Sequence, residues 1–93
     1  MSLIFQWDSG KALSNEKKHG VSFKEAATAF KDLFSLTIHD PDHSDEEDRY
    51  ILLGTSYKNR AVVVVHTEKD DQIRIISARR ATRREIDQYE KQQ

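Results

Sequence analysis

The sequence predicts one α+β domain, an antiparallel sheet of four to five strands packed against two N-terminal helices, with a further helix at the C-terminus. Three observations predict it. Two early segments carry helix-capping signals, the later segments alternate or run apolar like strands joined by tight turns, and the last dozen residues open on another cap. Strands that follow one another directly pair as hairpins, which favours an antiparallel sheet over βαβ crossovers. A chain of 93 residues suits a single domain spanning 1–93, because half that length rarely folds without disulfides or metal.

The elements follow in order. Leu3 to Trp7 is a short run of strand formers, stopped at Asp8, which is suited to cap a helix over 9–18. Gly20 is placed to end that helix, and Lys17, Lys18 and His19 fall in its last turn, where positive charge complements the helix dipole. Ser22-Phe23-Lys24-Glu25 is a capping box, with Phe23, Ala26, Ala27 and Phe30 on one helical face. Phe34, Leu36 and Ile38 then alternate with Ser35, Thr37 and His39 as a strand with one wet face. After an acidic loop that Ser44 and Glu47 can cap, Arg49 to Tyr57 reads as a strand, Lys58-Asn59 as a hairpin turn, and Ala61 to Thr67 as a strand buried on both faces. Asp70-Asp71 turns the chain into Ile73 to Ala78, and the Thr82 to Glu85 capping box opens a last helix to about Lys91.

Composition excludes several function classes. Hydrophobic residues at 37% and charged ones at 33%, with a mean hydropathy of -0.78, give a small core under an ionic surface. No run approaches the ~20 apolar residues of a membrane span, and no basic-then-apolar leader opens the chain, so a soluble cytoplasmic protein is expected. The chain has no cysteine, which removes disulfides, thiolate metal sites and cysteine nucleophiles. The net charge of -1 conceals a segregation: six of the sixteen acids lie in 40–48, a segment without Lys or Arg. Elsewhere 15 bases face 10 acids, and Arg74 to Arg84 holds five arginines and no acid. Lys11, Lys17, Lys18 and His19 form a second basic group. A polyanion is the partner such groups suit, because phosphate contacts are made chiefly by Lys and Arg.

The last helix opens against its own electrostatics, with Arg83 and Arg84 at the positions where the dipole favours acids. Free N–H groups at a helix start attract an anion, and nearby guanidinium groups add bidentate donors. The junction from Ser77 to Glu85 is therefore a candidate phosphate site. The competing reading is that these arginines pair with Glu85, Asp87 or the acidic loop as surface ion pairs. Cutting an RNA phosphodiester without a cofactor requires help in deprotonating the 2'-hydroxyl, donors for the oxyanion and an acid for the leaving oxygen. Arginine supplies the second, and His19 is the natural proton-transfer group, with Lys11, Lys18, Glu85 and Tyr89 as helpers. His39 and His43 beside Asp40, Asp42 and Asp45 raise a metal reading, but no zinc-helix or calcium-loop spacing supports it. His66 reads as a satisfied sheet histidine. No nucleophile elbow and no glycine-rich phosphate loop is present.

Phe5-Gln6-Trp7-Asp8-Ser9-Gly10-Lys11-Ala12, Asn15 to Phe23 with Lys17-Lys18-His19-Gly20-Val21, His43-Ser44, Glu47-Asp48-Arg49, and Arg74 to Arg83 with Tyr89-Glu90 together resemble the BrnT family of type II toxin-antitoxin toxins. The resemblance runs nearly end to end, with Asn59 where a hairpin glycine is more usual. It implies a RelE-like fold and an endoribonuclease that inhibits translation by cutting RNA, without metal or other cofactor. It also implies a BrnA antitoxin that wraps the toxin, in an assembly of two copies of each, and that alone contacts operator DNA. On the residues present, the catalytic assignment is His19 and Lys11 on one side and Arg79, Arg83 and Tyr89 on the other, with Lys17, Lys18, Arg80 and Arg84 binding RNA. It requires that the end of the first helix and the 79–83 junction face each other. Two other readings remain open: a non-catalytic module that binds RNA or a partner protein, and a divalent-metal nuclease built on the acidic loop.

Overall fold

A computed structural model describes residues 2–43 and 47–91. Strand β1 (Ile4–Gln6) leads into helices α1 (Ser9–His19) and α2 (Phe23–Thr28). Four strands follow, β2 (Leu36–Asp40), β3 (Arg49–Thr55), β4 (Ala61–Lys69) and β5 (Gln72–Arg80), and then helix α3 (Arg83–Lys91). The five strands form one sheet in the order β1-β5-β4-β3-β2.

Strands β2 to β5 pair antiparallel as neighbours in sequence. Strand β1 does not: it runs parallel to β5, with Ile4 opposite Gln72 and Gln6 opposite Arg74. The sheet is therefore mixed, which corrects the purely antiparallel expectation. Hairpin logic covers only strands joined by a turn, whereas β1 takes the open edge of β5 from the far end of the chain, its ladder entered by Ile4 N–H donating to the Asp71 carbonyl at 2.8 Å. Strand β2 also starts later than the alternation implied. The Asp32 carboxylate accepts from Phe34 N–H at 3.0 Å, a side-chain turn that keeps Phe34 out of the ladder and exposed.

One core fills the space between α1, α2 and the sheet: Val21, Phe23, Ala26 and Ala29 pack on Leu52, Val62, Val64, Ile73, Ile75 and Ala78. Trp7, just after β1, meets Phe23 edge to face at 6.0 Å, and Phe5 meets Phe30 at 5.2 Å, so the β1 segment is stitched to α2 and to the turn that follows it by aromatic contact. The alternate residues Ile51, Leu53 and Val63 face the other way, where Glu85 and Gln88 of α3 join them around a hollow of about 370 Å³. The hairpin between β3 and β4 turns at Asn59 with φ of 60°, and that between β4 and β5 at Asp70 with φ of 57°, left-handed positions that Asn and Asp tolerate.

Only half of the Ser22–Glu25 capping box closes as expected. Ser22 Oγ accepts from Glu25 N–H at 3.0 Å, but the Glu25 carboxylate turns inward to Ser56 Oγ (2.7 Å) and to Arg60 Nε and Nη2 (2.7 and 2.6 Å). Glu25 is fully buried. The Arg60 guanidinium pulls its carboxyl below the usual range against burial, which pushes it up, and Ser56 adds to the lowering. Arg60 also donates to the Gly20 carbonyl at 2.9 Å, so one ion pair joins α1, α2 and the β3–β4 hairpin. His66 is buried, as a sheet histidine should be, with Nε2 2.8 Å from Glu68 and its ring 4.8 Å from Phe30.

Candidate functional site

Helix α1 is built as its caps dictate. Asp8 accepts from Lys11 N–H at 2.8 Å, and Gly20 closes the helix in the left-handed region at φ 72°, donating to the Glu16 carbonyl. This delivers Lys17, Lys18 and His19 to the last turn. Between α1 and the edge of β5 lies an open groove of about 550 Å³, lined by Lys11, Ser14, Lys18 and His19 from the helix and by Ile76 and Ser77 from the strand. Among the described residues, Lys11, Lys18 and His19 have no ion-pair partner.

Two features place the helix there. Strand β1 pairs with residues 72–74 of β5, and among the described residues the backbone of β5 beyond them has no strand neighbour on that side. Asn15 satisfies part of this edge: its Nδ2 donates to the carbonyls of Ala78 (2.8 Å) and Val21 (3.0 Å), and its Oδ1 accepts from Ala78 N–H at 3.1 Å. The amide is buried and imitates a strand at a single residue, pinning α1 to the sheet. The second feature is a register shift. Val65 pairs with Ser77 but His66 with Ile75, so Ile76 is the extra residue of a β-bulge, and bulges re-aim side chains at strand edges. Sequence reasoning missed both. The signals were an amide on the inward face that Ala12 begins, and two adjacent isoleucines that break the alternation of β5.

The start of α3 is organised differently. Thr82 and Glu85 close the expected capping box, Glu85 N–H donating to Thr82 Oγ1 at 3.2 Å and Thr82 N–H to the Glu85 carboxylate at 2.8 Å. The same carboxylate receives both terminal nitrogens of Arg79 at 2.8 Å each. Arg79 lowers the Glu85 carboxyl to about 2 against the opposing effect of burial, and the Thr82 N–H assists. Arg79 is thus held in a bidentate pair and does not line the α1 groove, while Arg83 and Arg84 stand exposed on the first turn.

The remaining assigned residues separate. Lys17 is exposed on α1 outside the groove lining. Arg80 and Tyr89 border another hollow, of about 330 Å³, against Arg60 and the β3–β4 hairpin. Tyr89 is buried, donating its hydroxyl to Asp32 and lying 3.1 Å from Thr55 Oγ1. Burial pushes the Asp32 carboxyl up, but hydrogen bonds from Tyr89, Thr55 and Phe34 outweigh it and hold it below its ordinary value. Of the acidic loop, His39 pairs with Asp48 at 3.1 Å, while Ser44, Asp45, Glu46 and the His43 side chain lie outside the described residues. Among the described residues, no group of three or more His, Asp or Glu side chains converges as metal ligands would.

The model of a family described as the ribonuclease toxin BrnT of type II toxin-antitoxin systems matches residues 7–85, from Trp7 just after β1 to Glu85 on α3. The chain belongs to the BrnT family. It is a ribonuclease toxin of a type II system, and an antitoxin partner follows from that class. The fold is similar to that of the Brucella abortus ribonuclease toxin BrnT in its crystal structure, with a TM-score of 0.60 at 21% identity, covering 89% of this chain and 99% of that one. At that identity the similarity speaks for fold alone. A search of curated proteins returns no match. No helix among the described residues is long and apolar enough to cross a membrane.

Proposed function

We propose that this BrnT-family toxin binds and cuts RNA in the groove between α1 and β5, without metal, and thereby inhibits translation. The observation that carries the reading is that Lys11, Lys18 and His19 line one open groove and lack ion-pair partners among the described residues. Asp8 also borders it, but a carboxylate oxygen of Asp8 is held by the Lys11 N–H.

In this reading His19 moves the proton and the two ammonium groups hold the phosphate. The 2'-oxygen gives up its proton and attacks phosphorus, the negative charge on the non-bridging oxygens is met by Lys11 and Lys18, and the P–O5' bond breaks as the leaving oxygen takes a proton. Ser77 sits on the groove floor as a neutral donor. Arg80, Arg83, Arg84 and Lys17 extend the cationic surface along which a strand lies. Arg79 enters the chemistry only if Glu85 releases it, and Tyr89 acts by holding α3 to Asp32 and Thr55. The scaffold is of the RelE-like type. The antitoxin is of the BrnA kind, joined two to two with the toxin, and it alone touches operator DNA.

The test is an RNA cleavage assay in EDTA. Wild-type protein cuts, His19→Ala loses activity by roughly 10²- to 10⁴-fold, and Lys11→Ala and Lys18→Ala weaken binding. Cleavage abolished by EDTA and restored by a divalent ion, or undiminished in His19→Ala, contradicts the reading.

A further inference from the structure

The groove does not end at Lys11. Past Lys11 and Ile76 it opens into a second hollow of about 50 Å³, bordered by Arg49 and Arg74. The sheet register explains why two arginines from different strands meet there. Arg49 of β3 lies opposite Thr67 of β4, and Thr67 opposite Arg74 of β5, and directly paired residues project from the same face of a sheet. Lys11 borders both hollows, as does Asp8, whose carboxylate accepts from the Lys11 N–H, so Lys11 links the cations of the first hollow, Lys18 and His19, to Arg49 and Arg74 of the second.

Arg74 is occupied. Its Nη2 donates to the Glu47 carboxylate, and both side chains are about half exposed, 50% and 51%. Glu47 belongs to the acid-rich segment 40–48, which connects β2 to β3. A carboxylate and a phosphodiester present the same kind of oxygen pair to a guanidinium. An ion pair at this exposure is weak and salt-screened, so a strand anchored elsewhere in the groove displaces it.

We propose that Arg49 and Arg74, with Lys11, form a phosphodiester subsite at the far end of the RNA groove, and that Glu47 fills it in the RNA-free protein as a tethered competitor. The subsite rests on the α1 groove being the RNA site. Because Glu47 is tethered, its local concentration is high and any short anion competes poorly. A strand long enough to engage both hollows gains from the first contact what it needs to displace Glu47 at the second. The acidic stretch thus selects for polymer over mononucleotide.

The experiment measures binding of a non-cleavable 2'-O-methyl RNA by anisotropy, across a range of salt, for wild type, Glu47→Gln, Arg74→Ala, the double variant and Lys18→Ala. Glu47→Gln should tighten binding roughly threefold at low salt. Arg74→Ala should weaken it roughly tenfold and reduce the salt slope by about 1. Adding Glu47→Gln to Arg74→Ala should change nothing more, since Glu47 acts through Arg74. Unchanged affinity in Glu47→Gln, or an equal gain in the Arg74→Ala background, overturns the competitor. If Lys18→Ala weakens binding and Arg74→Ala does not, the subsite falls and the groove stands. If wild type fails to bind, or Lys18→Ala binds like wild type, the groove reading falls and takes the subsite with it.

Discussion

On the α1 side of β5, Lys11, Lys18 and His19 line a groove with no ion-pair partner among the described residues. On the α3 side, Arg79 is gripped by both oxygens of Glu85. Both regions are basic in sequence, and the α3 side is the denser, yet there the half-buried Arg79 is taken by Glu85 while Arg83 and Arg84 stand exposed on the first turn, and it is on the α1 side that unpaired cations gather along a groove. Charge density along a chain measures how many cations exist, and the pairing geometry measures how many are available. The arginine run spends Arg79 on its own helix cap, whereas α1 carries Lys17, Lys18 and His19 at a C-terminus whose carbonyls already stabilise them.

The largest effect that separates the two regions is on activity. His19→Ala should lose RNA cleavage by about 10²- to 10⁴-fold with thermal stability unchanged, because His19 is exposed. Next is stability at the junction of α1 and α2. Arg60→Ala strands the buried Glu25 carboxylate with Ser56 and should destabilise the fold by about 3–5 kcal/mol in urea unfolding. A loss below about 1 kcal/mol would mean that solvent reaches Glu25.

Acid titration sharpens the contrast further. The Glu85 carboxyl lies at about 2 when folded, against an ordinary value of 4.5. Its folded value is depressed, so its stabilisation is fully present above about 4.5 and is lost as pH falls from there toward 2. Allowing for partial exposure, the contribution is about 1–2 kcal/mol, and Glu85→Gln should flatten the stability profile over that window. The same variant frees Arg79 and should raise RNA affinity modestly at neutral pH, turning the paired region into something closer to the open one. The smallest effect is Tyr89→Phe, which removes the hydroxyl bonded to Asp32 and should cost about 1 kcal/mol in thermal unfolding while leaving cleavage intact.

Much of the frame could be read from residue order. Asp8, Gly20, Ser22 and Thr82 act as helix caps where the chain placed them, and the β3–β4 and β4–β5 hairpins turn at Asn59 and Asp70. These are local effects, decided within a few residues. The parallel pairing of β1 with β5 was not legible, because its partner lies 68 residues along in the register from Ile4 to Gln72 and no turn announces it. The candidate site was legible as a list and not as an arrangement. Lys11, Lys18 and His19 share a helix face, so their meeting follows from helical spacing. That the arginines of the junction could pair with Glu85 was legible as the competing reading, and Arg79 does so. That Asn15 would stand in for a missing strand, and that Arg49 and Arg74 would share a row, depend on strand register, which composition and periodicity do not fix.

The availability of the α1 cations is tested most directly by titrating isotope-labelled protein with non-cleavable RNA and following the backbone amide resonances. Binding in the groove should shift the amides from Lys11 to Gly20 together with Ile76 and Ser77 most strongly, and those of the α3 first turn, where Arg83 and Arg84 only extend the surface, much less. Shifts concentrated at Thr82 to Glu85, with Lys18 and His19 silent, would show that the arginine junction is the RNA site after all.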